Sequence, residues 1–145
     1  MELTTTSAII SFYNNLEDRV VRFYEELATN ENNISNINVF QKFADESKKQ
    51  KDMVNRRYRE VITDAFEAGF SFSGLNEDDY KIDTELSDDL TYSDVLQMAI
   101  KIEETLLKFC TDASKSSKVL LTDIAQVFES VARKKSERKE LLKTF

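Results

Sequence analysis

Histidine is absent from this chain of 145 residues, and that absence excludes much chemistry. No imidazole is available as general base, proton shuttle or metal ligand. Ser-His-Asp and Cys-His catalysis are impossible within the chain, and so are zinc sites of the Cys/His type. Proline is also missing, and glycine occurs only at Gly69 and Gly74. Without these breakers, long uninterrupted helices are expected. The lone cysteine, Cys110, cannot form an intrachain disulfide, so nothing points to an oxidising compartment. No apolar run approaches the length of a membrane span. The opening Met1-Glu2-Leu3-Thr4 lacks the basic-then-apolar layout of a secretory signal. The expectation is therefore a cytoplasmic protein with no membrane partner.

What is present is a soluble composition, 41% hydrophobic and 32% charged, in a chain of single-domain length. The formal net charge of -7 argues against nucleic acid as a main partner, because phosphate backbones attract cations. The charge is uneven. Residues 77–94 are acidic, whereas Arg133, Lys134, Lys135, Arg138, Lys139 and Lys143 form a basic run, which reads most simply as a solvated face near a helix C-terminus.

Apolar spacings of three and four predict four helices. The first covers about Thr6 to Thr29, with Tyr13, Val20, Tyr24 and Leu27 in its stripe. The second covers about Asn36 to Gly69, with Phe40, Phe43, Val54 and Val61. Phe70 to Leu90 is too long for a turn and suits a crossover along a bundle. Thr91 and Asp94 resemble a capping box that opens the third helix, whose stripe holds Tyr92, Leu96, Ala99, Leu106 and Cys110. Ser114 to Ser117 reads as a polar turn, after which the fourth helix continues to about Lys143 with Ile124, Phe128, Val131 and Leu142. Each stripe carries a polar interruption: Glu17 in the first, Ser47 and Gln50 in the second, Glu103 in the third, Lys135 and Arg138 in the fourth. The interruptions repeat. Glu17 precedes Phe23-Tyr24 as Glu103 precedes Phe109-Cys110, and Ala44-Ser47-Gln50 is spaced like Ala132-Lys135-Arg138. The whole chain, 1–145, thus reads as one all-α domain of two helix-pair repeats, about 6–69 and 91–143.

Those residues carry a resemblance. Glu17 to Ala28, Phe43 to Gln50, Ala99 to Phe109 and Phe128 to Arg138 resemble the four helices of the rubrerythrin and ferritin-like family. The resemblance implies a four-helix bundle with a long crossover between the second and third helices. In that family two metals, usually iron, sit between the helices, held by a Glu from each of two helices and Glu-x-x-His from each of the other two. Carried over by position, Glu17 and Glu103 are retained. The remaining carboxylates become Ser47 and Lys135, and the histidines become Gln50 and Arg138. The neighbouring Glu46 and Glu137 are about 100° off the inward direction and should face a flank or water.

Two glutamates buried without metals would be costly. Lys135 and Arg138 offer two positive charges, so the expectation is that they pair with Glu17 and Glu103 while Ser47 and Gln50 complete the hydrogen bonding. The resulting reading is a domain with no metal and no cofactor, acting as a structural or protein-interaction module. It would form a homo-oligomer, a dimer, through aromatics such as Phe12, Phe66, Phe70 and Phe72. The alternative is a di-metal oxidase or peroxidase with unusual ligands. A third class is an emptied pocket holding a small anion at Lys135 and Arg138. Cys110 is expected to be a small buried apolar residue, and Tyr24 plain core packing.

Overall fold

A computed structural model describes residues 2–29, 37–61, 75–117 and 122–145. It is all-helical in its long elements: α1 (Thr6–Thr29), α2 (Ile37–Val61), α3 (Tyr92–Ser117) and α4 (Thr122–Leu142), with a short 3-10 turn at Glu77–Tyr80. Among the described residues no helix is long and apolar enough to cross a membrane.

Local signals explain where the helices start. Thr5 Oγ1 accepts from the Ala8 amide at 3.0 Å and caps α1. At the head of α3 the expected box closes both ways: Asp94 N donates to Thr91 Oγ1 at 3.1 Å, and Thr91 N donates to Asp94 Oδ2 at 3.0 Å. The end of α3 differs from the sequence reading. Ser114 to Ser117 is helix, not turn. Ala113 and Ser117 are buried there, and Ser114 Oγ donates to Ala125 O at 2.9 Å, so small residues pack tightly against α4 and extend the helix despite their modest propensity. The proposed stop of α2 at Gly69 lies outside the described residues.

α1 packs on α2, α3 on α4, and α2 on α4, while α1 also touches α3. The α1–α2 pair is antiparallel, as the partners Asn14–Asn55, Asp18–Lys51 and Glu25–Lys48 require. Residues 75–90 lie against α1 and α3. Leu3 N donates to Leu75 O at 2.7 Å, Tyr80 Oη donates to Asp112 at 2.7 Å, and Arg19 Nη2 donates to Ile82 O at 2.9 Å.

The predicted stripes are the core, although Val61, Tyr92 and Leu96 are only half-buried. The core is layered along the helices. At one end Phe12, Tyr13, Tyr80, Phe109 and Phe128 form a cluster with mostly edge-on rings. At the other end Phe23, Tyr24, Phe40, Phe43 and Phe145 form a second. Phe12, half-buried, packs against Tyr80 and Phe109. Phe66, Phe70 and Phe72 lie outside the described residues. The helical interruptions fall between the two aromatic clusters.

Candidate functional site: a buried polar layer

Glu17, Ser47, Gln50, Glu103, Lys135 and Arg138 are all buried, none more than 3% exposed. Each continues the buried stripe of its helix: Tyr13 and Val20 flank Glu17, Phe43 and Val54 bracket Ser47 and Gln50, Ala99 and Leu106 flank Glu103, and Val131 and Leu142 bracket Lys135 and Arg138. Lys135 Nζ donates to Glu17 Oε1 at 2.5 Å and lies 3.5 Å from Ser47 Oγ. Arg138 spreads its fork more widely. Nη1 donates to Glu103 Oε1 at 3.1 Å and to Ser47 Oγ at 2.9 Å, while Nη2 donates to Phe43 O at 3.0 Å and to Glu46 Oε2 at 3.4 Å. The guanidinium also lies over the rings of Phe43, at 4.8 Å, and Tyr24, at 5.4 Å.

The pairing is thus specific: lysine to the α1 glutamate, arginine to the α3 glutamate, with Ser47 between them. Two carboxylates and two cations leave the sealed centre neutral. Burial by itself would lower the Arg138 pKa, but Glu103 first, then Tyr24, Glu17 and Glu46, hold it above its ordinary value.

Three features differ from the sequence reading or go beyond it. Gln50 is buried, but its Oε1 accepts no hydrogen bond from the described residues, so it does not complete the network. Glu46, expected to face a flank or water, does sit half-exposed on the flank but reaches back to Arg138. Its signal in the sequence was weak, since a long carboxylate side chain one position off the stripe can still bend inward. Tyr13 and Tyr24 also belong to the layer. Their hydroxyls lie close enough to Glu17 and Glu103 to feel the charge, yet neither meets hydrogen-bond geometry with any described residue. Burial, and then those glutamates, push both phenols well above the usual tyrosine value. Cys110 behaves as an apolar filler: burial, then Glu17, raises its thiol far from reactivity.

The donor set does not suit the two metals of the resembling family. A cation between Glu17 and Glu103 would stand beside an ammonium and a guanidinium that already hold both carboxylates. Among the described residues no three His, Cys, Asp or Glu side chains converge as a metal-binding group. No protein-family model, curated protein or solved structure gives a significant match to this chain. The family resemblance therefore rests on the sequence pattern alone.

Proposed function

We propose that this is a ferritin-like domain whose di-metal centre has been replaced by ion pairs, and that it serves as a self-associating structural or protein-interaction module. The observation that carries the reading is the pairing of Lys135 with Glu17 and of Arg138 with Glu103 at the places where metal ligands would stand. The helix neighbours, and a 75–90 segment bonded to both α1 and α3, are what a bundle with a long crossover requires. The alternative, oxidase or peroxidase chemistry through two metals, is less favoured because no three carboxylate, thiol or imidazole donors converge among the described residues. Elemental analysis of protein prepared without chelators tests the reading. No stoichiometric transition metal is expected, and iron or manganese at one or two equivalents that disappears in Glu17→Ala would overturn it. Light scattering tests the association, for which a dimer is expected and a monomer at high concentration counts against it.

A further inference from the structure

Arg138 does more than neutralise Glu103. In a guanidinium the Nε–H and one Nη–H point the same way and form a two-toothed fork that matches carboxylate or phosphate oxygens. On that edge Arg138 is underused. Its Nε–H has no hydrogen-bond partner among the described residues, although the side chain is only 2% exposed. The adjacent Nη2 is held from outside by Glu46, whose contact is long at 3.4 Å and whose side chain is 39% exposed.

Arg138 and Glu46 both line a groove between α2 and α4 with a volume of about 500 Å³. Lys42, Lys49 and Lys134 stand exposed around it, so with Arg138 four cations line it against two carboxylates, Glu46 and Glu137. Gln50 lines it as well, and the buried Oε1 of Gln50 is an acceptor with no donor among the described residues. Val39 and Leu141 add apolar surface. Lys135 is not part of this groove's lining, since its ammonium is committed to Glu17 in the sealed centre. An anion in this groove therefore meets Arg138 and not Lys135.

We propose that the α2–α4 groove binds a small protonated oxyanion, a phosphate or phosphomonoester group, which takes the place of Glu46 on the Nε/Nη2 edge of Arg138 and donates its P–OH to Gln50. The three lysines supply the attraction that offsets the two carboxylates. Glu46 acts as a built-in competitor that keeps the arginine partnered until the ligand arrives. The unmet acceptor on Gln50 sets the choice of anion. A phosphate group near its second ionisation, at a pH of about 6, still carries a proton to donate, whereas sulfate has none.

The test uses the full chain at pH 6 and fixed ionic strength, reading melting temperature and affinity with inorganic phosphate, phenyl phosphate and sulfate. Phosphate should raise the melting temperature and sulfate should do so far less. Lys42→Glu/Lys134→Glu, both changes at exposed positions, should abolish the difference without disturbing the fold. Glu46→Gln should bind phosphate more tightly, about threefold, the size of one exposed charge contact. Tighter binding of phenyl phosphate than of phosphate would identify an organic monoester as the ligand, and equal binding would identify free phosphate. The proposal is overturned if sulfate matches phosphate, if the double lysine variant keeps the response, or if Glu46→Gln binds no better. Metal content is measured separately, so failure here is distinct from failure of the metal-free reading.

Discussion

Lys135 and Arg138 lie one turn apart on α4, and each answers a glutamate from another helix, but their surroundings differ. Lys135 is a point charge enclosed completely, with Glu17 as its close partner and Ser47 Oγ farther off at 3.5 Å. Arg138 divides six contacts among Glu103, Ser47, Phe43 O, Glu46 and two aromatic faces, and it lines an open groove. An ammonium is compact and strongly hydrated, so burying it demands one short, well-aimed carboxylate. A guanidinium is planar and weakly hydrated, so it can bridge several weak acceptors and still face a cleft. One end of the layer is thus a sealed structural pair, and the other keeps capacity for a partner.

The largest expected effect strikes both ends together. Tyr13 beside Glu17 and Tyr24 beside Glu103 have raised pKa values, and Tyr80, buried and donating to Asp112, is raised as well. A folded-state pKa above the unfolded one favours the protonated phenol in the fold. The associated stability is fully present below the ordinary tyrosine value and is lost as pH rises above about 10, at about 1.4 kcal/mol per pH unit for each excluded ionisation. Denaturation midpoints followed with phenolate absorbance should show these tyrosines ionising only as the helices melt. If all five tyrosines of the chain ionise while the helical signal is intact, the sealed layer does not exist.

The next effect separates the ends. Lys135→Met strands Glu17 in the core and should cost about 3–5 kcal/mol in chemical denaturation. Adding Glu17→Leu should restore most of it, because an apolar pair of similar volume needs no partner. A Lys135/Glu103 cycle should show a much smaller coupling than the Lys135/Glu17 cycle. Equal couplings would mean that the two cations are interchangeable and that the comparison fails.

Much of this layer was legible in the sequence. Glu17, Glu103, Lys135 and Arg138 interrupt stripes of period 3.6, and a charged residue inside such a stripe must find an opposite charge once buried. The assignment of lysine to one glutamate and arginine to the other was not legible, since it depends on rotamers and on the height of each side chain along the bundle. Glu46 lies on the flank as its helical-wheel angle requires, but its reach back to Arg138 was not legible, because that angle fixes where Cβ points and not where a three-bond side chain ends. Serine competes with the helix locally, so the sequence of Ser114 to Ser117 points to a turn, but packing of Ala113 and Ser117 into the core outweighs that preference.

A milder change probes the arginine end alone. Arg138→Lys keeps the charge near Glu103 but lacks the second arm that reaches Phe43 O and Glu46. A loss of about 1–3 kcal/mol is expected, since a buried carbonyl is left without its donor. Full retention of stability would show that the fork is not used and would remove the basis for a ligand edge on Arg138.

The smallest effect comes from the residue next to Glu17. Asp18 points outward on α1 and pairs with Lys51 of α2 at 2.7 Å, with side chains 47% and 33% exposed. In distance and charge this pair is close to Glu17–Lys135, so only burial distinguishes them. Water already solvates both partners, and salt screens what attraction remains. Lys51→Ala should therefore cost less than about 1 kcal/mol, and less still in high salt. If Lys51→Ala cost as much as Lys135→Met, ion pairing between helices in general, rather than the dry layer between the aromatic clusters, would be what holds the bundle in register.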